Sequence, residues 1–310
     1  MATLETAASS TATPRPVDVT ASAGRRPSRG RSRAGLRWLG VAPLTAYLLV
    51  FLLIPAGELV VDAFRSPAGR FTLGNISAVF QSQYISSFGA SLELSALAAL
   101  FGGLLGLLAA TAIVHPSAPR FVRSTVTTFS GMAANFAGVP LAFAFTSTLG
   151  ATGVITVAFQ HLGISLAAID PTSTTLGLAL VYNYFEFPLM ILLLLPALDG
   201  MKREWREAAQ NLGASGFTYW RTVALPILLP SLLGTMVLLF GGAFSAYATA
   251  YALSGSTGNL VTELIGNLTN GNVTVDPQLA YALALGMMLV ISVLMVAYYL
   301  LQRRASRWLR

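Results

Sequence analysis

Six apolar stretches, each close to the roughly 20 residues a helix needs to cross a bilayer, constrain this chain more than anything else in it. They fall near 38–63, 91–114, 126–149, 176–198, 231–253 and 280–301. In lipid every backbone N–H and C=O must be satisfied internally, and a set of stretches this long does so as helices. The expected fold is therefore an all-α polytopic membrane protein with six transmembrane helices, in one membrane domain over 37–310. Composition agrees: 55% of the 310 residues are apolar and 10% charged, too little polar surface for a soluble globule.

Basic residues orient the bundle. Arg15, Arg25, Arg26, Arg29, Arg31, Arg33 and Arg37 precede the first stretch, Arg120 and Arg123 follow the second, Lys202, Arg203, Arg206 and Arg221 follow the fourth, and Arg303, Arg304, Arg307 and Arg310 follow the sixth. The opposite loops hold Arg65 and Arg70, and otherwise Asp170, Glu263 and Asp276. Because cytoplasmic loops carry the excess of Lys and Arg, both termini are expected in the cytoplasm. The net charge of +7 follows from this pattern and from contact with the lipid bilayer, so it is no sign of nucleic acid. Residues 1–36, rich in Ala, Ser, Thr, Pro and Arg without periodicity, read as a disordered basic cytoplasmic tail.

Two stretches depart from plain lipid-facing helix. In the third, Thr127, Thr128, Ser130 and Asn135 dilute the apolar character, while Gly131, Gly138 and Pro140 loosen the helix. It faces a water-filled path, or it is an ordinary small-residue packing helix. The fourth carries Tyr182, Asn183, Tyr184, Phe185, Glu186, Phe187 and Pro188. A carboxylate in mid-span costs roughly 2.5 to 3.5 kcal/mol on insertion scales and usually faces the bundle interior or a water path. Glu186, with Asn183 and Tyr184, either lines a translocation path or hydrogen-bonds Asn135; the alternative is a protonated structural glutamate bonded to a neighbouring helix. Glu93, and Glu58 with Asp62, sit at helix ends, where acids are ordinary.

Between the fourth and fifth stretches lies a polar loop, 202–226. Trp205, Ala208, Ala209 and Leu212 recur at i, i+3, i+4 and i+7, the signature of a short amphipathic helix. Gly213 stands where a left-handed cap costs least, and Ser215 is a competent N-cap for a second short helix. That helix carries Phe217, Trp220 and Ala224 on one side and is expected to end at Leu225, because Pro226 disfavours a helical residue before it.

This loop resembles the EAA signature of permease subunits in bacterial ATP-binding-cassette importers. Glu207-Ala208-Ala209, three residues, Gly213, nine residues, then Val223-Ala224-Leu225-Pro226 fill its fixed positions, with Val223 at the usual isoleucine. The segments 135–141 and 244–253 look like permeases of the spermidine/putrescine type, a branch that also resembles those for thiamine, ferric iron, sulfate and phosphonates. The resemblance implies the type I importer permease fold in a bacterial inner (plasma) membrane. It implies that Glu207, Ala208, Ala209, Gly213, Leu225 and Pro226 couple to the ATPase, and that the substrate is a small solute, a polyamine first among them. The partners it implies are an ABC ATPase subunit dimer, a second permease subunit, a different chain in the usual case, and an extracytoplasmic solute-binding protein.

Enzyme chemistry finds no support. There is no cysteine, His115 and His161 fall on opposite sides and cannot share a metal, and no Gly-x4-Gly-Lys-Ser/Thr phosphate loop occurs. No catalytic residue, metal site or cofactor is expected, and ATP hydrolysis is assigned to a partner. A secondary transporter would share six spans and a mid-membrane acid, yet has no reason to keep the complete loop spacing.

Overall fold

The computed structural model describes residues 33–115, 117–172, 174–255, 258–270 and 275–306. Six helical stretches among them are long and apolar enough to cross a membrane: Val41–Ala63, Ser82–Val114, Val139–His161, Thr175–Asp199, Gly216–Ser245 and Pro277–Arg304. The chain forms two compact units that divide between Leu53 and Ile54. In the first, helix α1 (Arg33–Leu48) runs into a π turn, Leu49–Leu53. It begins inside the expected 1–36 tail; the rest of that tail, like Arg307 and Arg310, lies outside the described residues.

The second unit contains α2 (Ile54–Ala63), α3 (Gly74–Val79), α4 (Ser82–Val114), α5 (Arg120–Ala133), α6 (Val139–Leu149), α7 (Val154–His161) and α8 (Thr175–Asp199). It continues through α9 (Arg203–Asn211), α10 (Gly216–Tyr219), α11 (Leu225–Ser245), α12 (Ala248–Ser254), α13 (Val261–Asn270) and α14 (Pro277–Ser306). Its axis is the α4–α8 pair. Lipid tails are as apolar as leucine, so close packing has to drive helix association in a membrane. Helix α4 supplies it with small residues: Ala98, Ala99, Gly102, Gly103, Gly106 and Ala110 are all buried. A Cβ built on Gly106 would lie 2.5 Å from the Met190 Cβ, so α8 rests directly on the α4 backbone. Tyr182, Met190, Ile191 and Leu194 fill the α8 side of the contact, and Leu228 and Leu239 of α11 close it.

The expected third span, 126–149, is not one helix. Helix α5 stops at Ala133 and α6 starts after Gly138, whose φ of 78° lies in the left-handed region open to glycine. Pro140 follows in the first turn of α6, where a missing donor costs nothing. The stretch long enough to cross is Val139–His161. The expected fifth span, 231–253, is also interrupted: α11 ends at Ser245 and α12 starts at Ala248.

The two breaks meet. The Gly138 N–H donates to Thr249 Oγ1 at 2.8 Å, and the Ala246 carbonyl accepts from Tyr182 Oη at 3.1 Å and Thr262 Oγ1 at 3.4 Å. Irregular backbone within a bundle survives where neighbouring side chains satisfy it in this way. At the other end Arg123 reaches Asp199 at 2.5 Å, and Tyr298 Oη donates to the Pro230 carbonyl at 3.3 Å. These contacts tie the first turn of α5 to the end of α8, and the start of α11 to α14 about one turn before its Arg303 and Arg304.

Candidate functional site

The 202–226 loop folds as an elbow. Gly213 adopts φ 78° just past the end of α9, a conformation that costs a residue with a Cβ roughly 1 to 2 kcal/mol. Its N–H bonds the Gln210 carbonyl at 2.9 Å. Ser215 caps the next helix, its Oγ accepting from the Thr218 N–H at 3.2 Å.

That helix does not end at Leu225. It passes through a π turn, Trp220–Ala224, in which the Leu225 N–H reaches back to the Trp220 carbonyl, and continues as α11. The wider turn sets Pro226 in the first turn of α11.

The amphipathic face divides on folding. Ala209, Tyr219 and Ala224 are buried and form a small core with Met201, Ala214 and Trp220. Leu212 and Phe217, expected on the covered sides, are 88% and 77% exposed. Ala208 is exposed with them. Glu207 Oε1 accepts from Arg203 Nε at 2.8 Å along its own helix; with side chains 56% and 87% exposed, this i,i+4 pair is worth only about 0.3 to 0.5 kcal/mol.

Glu186 lies deep in the bundle and is fully buried. Its Cβ stands 2.9 Å from where a Cβ on Gly102 would be, and its Oε1 3.4 Å from the corresponding position at Gly242. The carboxylate thus occupies the junction of α4, α8 and α11. Neither of its oxygens, nor the Oδ1 of Asn183 one turn before, has a hydrogen-bond partner among the described residues.

The expected bond to Asn135 is not formed. The Asn135 amide donates to the Gly131 carbonyl at 2.8 Å, closing the last turn of α5 just where the chain breaks. Tyr184 also departs from Glu186. Its ring meets Phe136 and Phe145 edge-on, at 6.0 and 5.9 Å, on the side of the α5–α6 break. The structure therefore groups Glu186 with Asn183 against Gly102, and places Tyr184 beside Phe136, the neighbour of Asn135.

Glu263 carries more structure than its place in an outer loop suggested. It is 1% exposed, its carboxylate accepts from the Leu260 N–H at 3.2 Å, and Ser254 Oγ donates to its other oxygen. Burial pushes its carboxyl above the usual carboxylate range, and the Ser254 and Leu260 bonds pull it partly back. Nearby, Ser91 of α4 accepts from the Val261 N–H at 3.0 Å. The acid at the third position of α13 is the signal that was available, since it reaches back to the N–H just before the helix.

The sequence matches the family model described as "binding-protein-dependent transport system inner membrane component" over residues 102–307. A probable sulfate transport system permease protein of Nephroselmis olivacea is 29% identical over 68% of this chain and 70% of its own length. The spermidine/putrescine transport system permease protein of Haemophilus influenzae is 24% identical over 86% of this chain and 94% of its own. Among solved structures, a bacterial ABC transporter involved in the import of the acidic polysaccharide alginate aligns with a TM-score of 0.70 at 21% identity, covering 88% of this chain and 96% of that one. A methionine ABC transporter in an inward-facing conformation aligns with a TM-score of 0.54 at 15% identity, covering 71% and 95%. Both share the fold of this chain.

Proposed function

This chain belongs to the family of binding-protein-dependent transport system inner membrane components, and on that premise we propose that it is the permease subunit of an ATP-binding-cassette importer, one half of the path for a small solute. The observation that carries the reading is the complete loop spacing from Glu207 to Pro226, folded as an elbow that leaves Leu212 and Phe217 exposed. Two large apolar side chains at the tip of a solvated loop suit a groove on another protein. In this reading the groove belongs to a cytosolic ATPase subunit, α9 is the element that docks, and the basic end of the bundle faces the cytoplasm.

Motion imposed on α9 has a route inward. Ala209 of α9 packs with Tyr219 and Ala224 in one core, and Ala224 leads without a break into α11. Helix α11 packs on α4 and α8, beside Glu186. A ligand shifts such an equilibrium only through unequal binding to two states; ATP on the ATPase dimer and a loaded external binding protein supply that inequality. We assign Glu186 and Asn183, with Tyr184 and Asn135 at the α5–α6 break, to the path, with Glu186 covered in the state described and uncovered in another.

The solute we propose first is a polyamine, because the spermidine/putrescine relative aligns across the larger share of both chains. Sulfate is the second reading, favoured by the higher identity of the sulfate relative. Purification of the full-length chain from its native membrane in mild detergent, with mass spectrometry of what accompanies it, tests the class: a cassette ATPase and a second permease are expected, and repeated recovery of the chain alone overturns the reading. Uptake of labelled putrescine against labelled sulfate by the assembled complex then separates the two solutes.

A further inference from the structure

Where α4 and α8 end and α9 begins, the protein holds a cavity of about 690 Å³, within the size range of small-ligand sites. Part of its wall is basic, formed by Lys202, Arg203 and Arg206, and part is apolar, with Leu198, Met201 and Trp220. Among the described residues no acid lines it: Glu204 of α9 lies outside the wall, Glu207 pairs with Arg203 at 2.8 Å and Asp199 with Arg123 at 2.5 Å. Lys202 and Arg206 are left without an ion pair among the described residues. The cavity therefore offers at least two positive charges without an ion pair among the described residues, beside an apolar wall.

Its position decides what kind of anion it suits. Thr111 of α4 lines the cavity, and Leu108 and Leu104 lie one and two turns before it on the same helix face. They are 58% and 52% exposed. An apolar stripe thus leads from membrane depth to the mouth of a cationic cavity at the basic end of the bundle. A free inorganic anion would use only the charges. A molecule with a phosphate head and an acyl tail would use both.

We propose that this cavity binds the headgroup of an anionic phospholipid, its phosphate between Lys202 and Arg206 and an acyl chain along Leu104 and Leu108 of α4. Basic pockets at helix ends recognise anionic headgroups by this chemistry. A lipid held there wedges between the α4–α8 pair and the first residues of α9, and its composition then bears on how that loop is set.

The test is lipid binding by the purified full-length chain in neutral detergent, read by native mass spectrometry with phosphatidylglycerol, phosphatidylcholine and glycerol phosphate as probes. Phosphatidylglycerol is expected to bind saturably and in preference to phosphatidylcholine. The Lys202→Gln/Arg206→Gln double variant should bind it roughly thirtyfold more weakly, about fivefold for each charge removed. The charge-keeping pair Lys202→Arg/Arg206→Lys should retain binding, which separates a lost site from a misfolded chain. Arg120→Gln, at the same end but outside the cavity, should leave it unchanged. Equal binding of the two lipids, or equal losses in Arg120→Gln and the double variant, would overturn the site. Full competition by glycerol phosphate would reassign it to soluble phosphates, and full displacement by a purified ATPase subunit would reassign it to that protein contact.

Discussion

Gly102 of α4 lies so close to Glu186 of α8 that a Cβ on the glycine would stand 2.9 Å from the Cβ of the glutamate, 3.1 Å from Asn183 Oδ1 and 3.3 Å from the Phe187 backbone nitrogen. A tight approach of α4 to α8 is thus made at the one buried carboxylate without a hydrogen-bond partner among the described residues. Gly102→Val is expected to lower stability by about 1 to 3 kcal/mol, the usual cost of overpacking a tight core. Thermal unfolding in detergent measures it, and an unchanged midpoint would mean that α4 and α8 are not in register here.

Glu186 itself should show a conflict between stability and activity. An unpaired buried acceptor costs about 1 to 3 kcal/mol, so Glu186→Met is expected to raise the unfolding midpoint. Glu186→Gln should preserve assembly. Both should reduce solute uptake by the reconstituted complex, and normal uptake in Glu186→Gln would remove this residue from the path.

The elbow makes a different prediction. Gly213→Val forces a β-branched residue to φ near 78°, and Glu207→Ala removes the exposed acid of the loop. Both variants should insert and fold, yet separate ATP hydrolysis from uptake in proteoliposomes. If both transport at the normal rate per ATP, the loop is not the element that couples.

Glu263 gives the protein a pH dependence of defined sign. Its folded-state carboxyl is raised by burial, so between the ordinary carboxylate range and that higher value the folded chain binds more protons than the unfolded chain. Its contribution to stability is fully present below the unfolded value and is lost as pH rises through the folded one. The midpoint of the natural chain should therefore fall, relative to Glu263→Gln, as pH is raised across that window. A constant difference between the two would contradict the burial described for this side chain.

Local chemistry was the part of this structure open to reading in advance. The turn at Gly213 and the cap at Ser215 depend on residues within one turn of themselves, and both stand where the spacing puts them. The exposure of Leu212 and Phe217 was not legible, because helical periodicity marks an apolar face without saying what covers it. The break in the third span was half legible: Gly138 and Pro140 were visible as weak points, but the bond that lets the chain break there comes from Thr249, 111 residues away. The neighbours of Glu186 were not legible either, since in place of Asn135 they are the glycines of two other helices, which carry no polar group to announce them.

The π turn at Trp220–Ala224 acts as a phase shifter. A π turn takes one residue more than an α turn for the same revolution, which shifts the sequence pattern beyond it by about 100°, so the inward set of Leu228, Thr235, Leu239 and Ala243 is fixed before the helix has entered the bundle. Removing a single residue there would let the turn close as ordinary α-helix, with these four still facing inward and Gly242 still beside Glu186. The turn is thus a slack link: a deletion within it would be absorbed, whereas the same deletion further along α11 would be felt as a twist of about 100° in all that follows.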